Sequence, residues 1–597
     1  MKVLITIQDD RWKKIKLNYK KIITAALGDK DAEVSVLLTN DAGMQKLNKQ
    51  WRGKDKPTNV LSFETGDPEI MGDIVLSYDT ILAESSSRTF KTHAARMLIH
   101  GALHLAGMDH IKDADAKKME ATEAKILLKI RREKWRGLMF FALGAAASFG
   151  FAPYYLWPAT IAALGLAYRF ARGYKDGFWF GAGYAILGLS WMVNSFFVDP
   201  TAAQTFGYLA PFALIGIAAG GGLLFGLPFW LTGLTRDNTW RRPFYFAAAW
   251  AFVLWLRGWF LTGFPWNPLA GIFIETPVIS NMAGVIGIIT TSFLIAGICA
   301  AILSKKLIPI LFFSAALIAT GVASTWRVAN YHNNLDLNPT VRIVQPAIPQ
   351  AYKSDRRQAQ NNFEIVMELS NRPGEFDFIV WPESAYPYLV TPDFSIDLPA
   401  PLVFGGLRRE AGIFFNSMFV FQGGEITQLY DKRHLVPFGE FSPFGKLVPV
   451  PGEFGFGRRD QGAMKIAGVK FAPSICYEII FPDTAGAASA QFIINITNDG
   501  WFGDSIGPHQ HLMMARLRAI ESGLPVIRAS YSGISAIIDP LGRVTHKLDL
   551  GVRGIIDTKI PFKMATGVPT PNRAIINILI IALALRLIRI RARPKKD

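Results

Sequence analysis

Residues 471–483 read FAPSICYEIIFPD, a small apolar run that ends on Cys476, continues through a tyrosine and a glutamate, and closes at a proline. The pattern predicts a short buried strand whose last side chain is a thiol, followed at once by a turn. Only two cysteines occur in 597 residues. The other, Cys299, lies in LIAGICAAIL (294–303), where a small buried thiol needs no chemical reason. Two more strand-like runs end on charged residues: Glu383 in FIVWPESAYP (378–387), and Lys432 in LYDKRHLVPFGEF (429–441). A thiol that accepts an acyl group needs a base for its proton and a cation or donor for the oxyanion. A carboxylate, an ammonium and a thiol at strand ends supply those roles, but on spacing alone an inert buried cysteine is the commoner reading.

Outward from that region the chain divides by composition. Runs rich in β-formers (TVRIVQP, LVFGGL, FIINITND, PVIRASY, SAIIDP) mark residues 338–570 as α/β. Before them lie seven apolar runs near 138–153, 156–171, 177–198, 207–233, 244–263, 279–303 and 307–325, of bilayer-spanning length. An eighth, AIINILIIALAL, stands at 574–585 before a basic tail. Charged residues make up 19%, against about 25% in an ordinary globular protein. The net charge of +17 fits nucleic acid, a membrane surface or cytoplasmic loops. Position decides in favour of loops: KIRREKWRG (129–137), RFARGYK (169–175), TRDNTWRR (235–242) and SKK (304–306) alternate with connections that carry no Lys or Arg. That alternation predicts residues 1–137 and the C-terminal tail in the cytoplasm, with residues 338–570 on the far side. Two cysteines in unlike contexts argue against a disulfide framework, and MKVLITIQDDRWKK is not a signal peptide.

Residues 1–128 form a third region, with strand-like KVLITIQ, EVSVLLTN, NVLSFET and DIVLSY. It contains IHGALHLAGMDH (99–110). His100 and His104 stand one turn apart on a helix face, and Gly107 ends that helix so that His110 returns to them. Three imidazoles with a fourth position open describe a catalytic zinc site. A metalloprotease has Glu directly after the first His; Gly101 stands there instead.

The wording of the motifs goes further than their spacing. WPES, DKRHLVPFGEF and CYEIIFPD resemble the nitrilase (carbon–nitrogen hydrolase) superfamily. With the apolar spans, VQPAIPQ (344–350), LRGWFLTGFPW (256–266) and TNDGWFGDSIGPHQHLMMARLRAIE (497–521), the chain from about 137 to 590 resembles its membrane branch, the bacterial apolipoprotein N-acyltransferases. The resemblance implies Cys476 as nucleophile, Glu383 as general base and Lys432 as oxyanion stabiliser, with Glu440 assisting the charge network and Glu478 supporting the thiol. It implies a phospholipid donor, a thioester on Cys476, and the α-amine of a diacylglyceryl-cysteine apolipoprotein as acceptor. Arg257, within an apolar run, and Trp501 are candidates for lipid or headgroup contact.

Similarly, the histidine motif with LNKQWRGKDKPTNVLSF (47–63) and GDIVLS (72–77) resembles the bacterial rRNA maturation factors, zinc-dependent endoribonucleases. That implies one zinc on His100, His104 and His110, rRNA or the ribosome as partner, and Arg52 facing phosphate, with Lys54, Lys56 and Arg96 available to an RNA backbone. Asn59 departs from the aspartate usual in that family.

The expected architecture is therefore multidomain. An α/β zinc-hydrolase-like domain (1–128) is followed by a seven-span helical domain (137–327). A nitrilase-like α/β sandwich (338–570) comes next, inserted before a last span (574–590), giving about eight spans in an inner bacterial membrane. The rival readings are a membrane-bound amidase or nitrilase-like hydrolase, with water as acceptor, and a non-catalytic RNA- or ribosome-binding module at residues 1–128.

Overall fold

Alternating apolar residues in four short runs of the first 80 residues give a four-stranded sheet: β1 (Lys2–Ile7), β2 (Glu33–Thr39), β3 (Val60–Glu64) and β4 (Ile70–Ser77). Its order is β1-β2-β4-β3, with β3 antiparallel to β4 and the other pairs parallel. The computed structural model describes residues 1–29, 31–67, 69–109, 112–234, 239–332, 338–443, 445 and 453–564, with 132, 134 and 202 described by their helix alone. Contacts divide the chain into two units, Met1–Gly137 and Leu138–Asp597, and the helix Asp113–Ser148 contains the boundary.

In the first unit the helix Phe90–Leu105 lies against the sheet, burying Ala94, Leu98, Ile99 and Ala102 with Val34, Val36, Ile74 and Leu76. Gly101 faces that contact. A Cβ there would come within 2.8 Å of Ile74 and 3.0 Å of the Ser62 hydroxyl. Hence the position after His100, glutamate in metalloproteases, has no room for one. The helix ends where Gly107 takes the left-handed conformation (φ 77°).

The helical part of the second unit packs through small residues. On the helix Tyr174–Leu189, Gly181 meets the backbone of Gly221, and Gly183 meets the carbonyl of Phe141. Gly144 meets the carbonyl of Phe180 in return. Such close backbone approach is how apolar helices gain contact area without large side chains. Among the described residues, two helical segments are by length and composition apolar and long enough to cross a bilayer, Ala203–Gly233 and Leu307–Ala329. Arg242–Leu256 and Ile288–Ser304 are shorter. Two runs that read as continuous are broken: 244–263 stops being helical after Leu256, with Leu261 and Thr262 at positive φ, and 279–303 breaks at Gly287 (φ 85°). Residue windows of hydropathy do not register such backbone turns. The expected last span, 574–590, and the tail to 597 lie outside the described residues.

Residues 340–559 supply two six-stranded sheets. One contains β5 (Thr340–Gln345), β6 (Phe378–Val380), β7 (Leu402–Glu410), β8 (Ile413–Gln422), β9 (Glu425–Asp431) and β16 (Gly554–Lys559), in the order β16-β5-β6-β7-β8-β9. The other runs β10-β11-β12-β13-β14-β15: Met464–Ile466, Val469–Ile475, Phe492–Thr497, Val526–Ser530, Ser535–Ile538 and Val544–Leu548. Alternation places Val341, Ile343, Val380 and Val420 of the first against Phe471, Ile475, Ile494 and Ile527 of the second, all buried in one core. The opposite face of the second sheet (Ala472, Ile493, Val526, Ile538) packs on the helix Ile506–Ser522, in one cluster with the apolar helices. The helix Ala359–Ser370 covers the first sheet. The result is an α/β sandwich flanked by helices, and both sheets deliver strand ends to one rim.

Candidate functional site

Glu383, Lys432 and Cys476 follow β6, β9 and β11 at that rim. They stand 6%, 1% and 8% exposed, so the charges meet in a site nearly free of water. Lys432 Nζ donates to Glu383 Oε1 at 3.3 Å and to Glu440 Oε1 at 2.9 Å. Asn416 Nδ2 donates to the same two oxygens, at 2.8 and 3.0 Å. The backbone N–H of Val436 holds the other Glu440 oxygen at 2.8 Å. The buried Cys476 thiol lies close enough to feel the charges of both Glu383 and Lys432. Two carboxylates, one ammonium and one thiol thus form a connected polar cluster.

Its protonation follows from burial and charge. Burial pushes the Glu383 carboxyl up, but the Lys432 and Lys353 charges, with the Asn416 hydrogen bond, bring it below its ordinary value. Burial opposes the charge on Lys432, but Glu440 and Glu383 outweigh it and raise its pKa. Burial and the Glu383 charge push the Cys476 thiol up to about 12. The resting state is a neutral thiol beside an ionised carboxylate and an ammonium.

The backbone is strained at two of the strand exits. Cys476 has φ 52° and Ser384, next to Glu383, φ 49°. A non-glycine residue held there costs about 1–3 kcal/mol, and the strain turns each functional side chain out of its strand line. Gly405 of β7 makes room for the second turn, since a Cβ there would sit 2.8 Å from Glu383 Cα. Glu478 fastens the first turn: its carboxylate accepts from the N–H groups of Ile475, Arg433 and His434 at 2.8, 2.7 and 3.2 Å, and from the Tyr430 hydroxyl at 2.9 Å. Burial pushes the Glu478 carboxyl up, with those N–H groups opposing.

Three features escaped the sequence reading. Lys353, on the helix Gln350–Ser354, donates to the Glu383 carbonyl at 3.0 Å and lies 4.1 Å from the Tyr531 ring centre. Burial pulls its pKa down to about 8. Its only signal was the stretch VQPAIPQ just ahead of it. Asn416 carried no signal. Behind Cys476, His511 Nε2 meets the Cys476 carbonyl at 3.2 Å while its Nδ1 lies 2.8 Å from Asp499 Oδ1. Arg528 Nη2 donates to Asp499 Oδ2 at 2.6 Å, and all three side chains are at most 1% exposed. Asp499 and His511 sit inside the quoted 497–521 motif, which is where a closer reading finds them.

The lipid candidates separate. Trp501 is 41% exposed. Arg257 is buried; its Nη2 donates to the Trp266 carbonyl at 2.6 Å, the guanidinium lies 5.3 Å from the Phe225 ring centre, and Nη1 has no partner. The Tyr477 hydroxyl, next to the thiol, donates to the carbonyl of Gly263 on the segment that follows Arg257.

In the first unit, His100 Nε2 and His104 Nε2 converge to 3.2 Å. Two nitrogens about 2.0–2.1 Å from one tetrahedral ion stand roughly 3.3 Å apart, so this pair fits a shared metal. Glu123 holds His100 Nδ1 at 2.7 Å, the outer carboxylate that orients a ligating imidazole. Among the described residues no cluster of three such donors forms, and His110 lies outside them. Arg96 is paired to Glu123 at 2.9 Å, and Arg52, Lys54 and Lys56 are exposed. Asn59 donates to both Glu84 oxygens, at 2.9 and 3.2 Å, where an aspartate would set two carboxylates together.

Comparison with known proteins gives three family matches: Endoribonuclease YbeY over residues 5–131, Apolipoprotein N-acyltransferase N-terminal domain over 143–301, and Carbon-nitrogen hydrolase over 400–570. The last begins after Glu383. Relatives named apolipoprotein N-acyltransferase include one from Brucella melitensis biotype 1, 34% identical over 432 residues, covering 65% of this chain and 79% of that one. Another, from Rhodopseudomonas palustris, is 31% identical over 516 residues and covers 77% and 96%. A third, from Agrobacterium fabrum, is 35% identical over 432 residues, covering 66% and 81%. With the sandwich, the helical region and these matches together, the chain belongs to the apolipoprotein N-acyltransferase family and carries an endoribonuclease YbeY domain ahead of it.

Proposed function

We propose that the second unit moves a fatty acyl chain from a phospholipid, through a thioester on Cys476, to the α-amine of a diacylglyceryl-cysteine apolipoprotein. The observation that carries this is the convergence of Glu383, Lys432 and the Cys476 thiol in one buried cluster. The thiol sulfur attacks the ester carbonyl as Glu383 takes its proton, and Lys432 faces the developing oxyanion. The C–O bond breaks, the proton passes from Glu383 to the departing alkoxide, and a lysophospholipid leaves. In the second half the amine attacks the thioester, Glu383 takes a proton from nitrogen, the C–S bond breaks and the thiolate recovers that proton. Glu440 holds Lys432 in place, Glu478 holds the turn that carries the thiol, exposed Trp501 contacts lipid, and buried Arg257 offers only its unpartnered Nη1 to a headgroup.

The orientation goes with this chemistry: residues 1–137 in the cytoplasm, seven crossings, residues 338–570 on the outer face of an inner bacterial membrane, and a last crossing at 574–590. The alternating basic connections support it. For the first unit the reading is a zinc-dependent single-strand endoribonuclease of rRNA 3′-end maturation, with His100, His104 and His110 as ligands and Arg52 toward phosphate. When bound, the ion supplies Lewis acidity that lowers the pKa of water and offsets charge on a phosphate. Glu123 orients His100 through Nδ1, and Asn59 leaves Glu84 a hydrogen-bonded carboxylate.

Intact-mass measurement of the detergent-purified full chain after incubation with phospholipid tests the acyltransferase. Wild type gains one acyl mass that hydroxylamine removes and a diacylglyceryl-cysteine peptide discharges; Cys476→Ala gains none. An adduct cleared by water alone selects the hydrolase, and no adduct on folded protein rejects the thioester. For the first unit, His104→Ala lowers zinc content and abolishes cleavage of single-stranded RNA; unchanged cleavage rejects the metal reading.

A further inference from the structure

The ends of three helices far apart in sequence enclose a cavity of about 360 Å³, lined by Tyr168, Arg169, Arg242, Leu303, Ser304 and Lys305. Its size is at the small end of the roughly 300–1,000 Å³ of small-ligand sites. Three of the six lining residues are cations and none is acidic. Among the described residues none of the three forms an ion pair. Arg242 Nε is buried without a hydrogen-bond partner, its guanidinium 5.5 Å from the Tyr168 ring centre. Leaving a buried guanidinium N–H unpaired is costly, so an acceptor from outside the chain would complete the cavity. Lys305 takes φ 56° at the helix end, where glycine is the unstrained residue. A third cation is therefore held at the cavity against backbone preference.

The place of the cavity separates it from the thiol. Arg242 begins the helix Arg242–Leu256, and the chain just beyond the other end of that helix reaches Tyr477 through Gly263. Fifteen residues rise about 21 Å from first to last. The cavity is thus a helix length away from the catalytic cluster, at the end where the three basic connections converge. Exposed apolar side chains stand beside its residues in sequence: Phe170, Trp240, Ile302 and Leu307 are 51%, 42%, 52% and 68% exposed. A soluble anion gains nothing from such neighbours, whereas a lipid brings acyl chains to cover them.

We propose that this cavity binds the phosphate headgroup of an anionic phospholipid in the leaflet opposite the catalytic domain, as a bound lipid separate from the acyl donor. Arg242 and Arg169 supply forked donors to the phosphate and Lys305 a point charge. The ligand class differs from a zwitterionic phospholipid by its net charge.

Native mass spectrometry of the full chain released from detergent tests this, with Cys476→Ala as background so that no acyl group is transferred. Phosphatidylglycerol is expected to be retained over phosphatidylethanolamine. Occupancy should fall about fivefold for each cation removed in Arg169→Gln, Arg242→Gln and Lys305→Gln. Millimolar inorganic phosphate should leave the adduct in place. Equal retention of the two lipids by the Cys476→Ala protein overturns the proposal without any cavity variant, which covers the case in which those variants fail to fold. Unchanged phosphatidylglycerol occupancy in the folded variants also overturns it. Displacement by phosphate makes this a free-anion site and rejects the lipid.

Discussion

Replacing Glu383 by glutamine removes one charge from the buried cluster while keeping the shape of the side chain and an oxygen for Lys432 and Asn416. With the thiol pushed up to about 12, only about one thiol in 10⁵ is ionised at neutral pH. Forming the thiolate before attack would add about 7 kcal/mol to the barrier. In the proposed mechanism Glu383 avoids that step by taking the proton as the C–S bond forms. Its pKa lies below the usual carboxylate value, so it is already ionised throughout the neutral range. Wild-type acylation by phospholipid, followed as acyl mass on Cys476, should therefore be flat between about pH 6 and 7.5. Glu383→Gln should be slower by about 10²–10⁴, the usual worth of a placed general base. Its residual rate should climb about tenfold per pH unit, because the variant depends on thiolate already formed. Losing the Glu383 charge also lowers the thiol pKa, so the loss should stay well short of the full 10⁵. A wild-type rate that itself rises log-linearly with pH, or a variant within about threefold of wild type, would refute the general-base argument.

Lys353 loses its proton as pH rises through about 8 and with it the attraction to Glu383; wild-type acylation should show an inflection there that Lys353→Met lacks, and identical profiles count against the role. Asp499 has its carboxyl at about 2, burial pushing it up and Arg528 and His511 outweighing that. A folded pKa below the unfolded one stabilises above about pH 4, and that stabilisation is lost as pH falls through 4 toward 2. Asp499→Asn leaves Arg528 buried and short of its counter-charge, so a thermal melt at pH 7 should show a loss of about 3–5 kcal/mol; an unmoved melting point contradicts the pairing. Gly183→Leu drives a side chain into the Phe141 carbonyl, and should shift the detergent-solubilised protein to aggregate on size exclusion, whereas a monodisperse peak would show that the helices stand farther apart.

Much of the site was legible because its chemistry coincides with strand ends. Glu383 and Cys476 each follow a run of apolar residues that reads as a buried strand, whose end is where a polar side chain must stand, whereas Lys432 follows β9, which is half exposed and buries only its last two residues. The cluster that holds them was not legible in the same way. Asn416 lies within β8, where exposed Ile413 and Phe414 give way to buried Met418, Phe419 and Val420, and nothing local distinguishes it from a polar residue on an outer face. Lys353 comes from a five-residue helix 30 residues ahead of Glu383, whose backbone carbonyl it bonds. Positive φ at Cys476 and Ser384 is invisible for another reason: neither residue type announces a left-handed turn, as Gly107 does in the histidine domain.

The apolar runs show the opposite error, of reading too much continuity. Hydropathy over 244–263 is that of a single span, yet the helix stops at Leu256 and the chain turns through Leu261 and Thr262 in left-handed conformations. Leucine carries no sign of that turn, so composition could not reveal it. The consequence is chemical. A continued helix would keep the Gly263 carbonyl within its own hydrogen-bond ladder; the turn releases it to accept from Tyr477, the residue after Cys476. The same break leaves Arg257 at the helix end, buried, with one Nη bonded to the Trp266 carbonyl and the other unpartnered. An apolar run interrupted there thus ties the helical region to the turn that carries the thiol, and backbone irregularity inside an apolar region is tolerated where protein, rather than lipid, satisfies the freed groups.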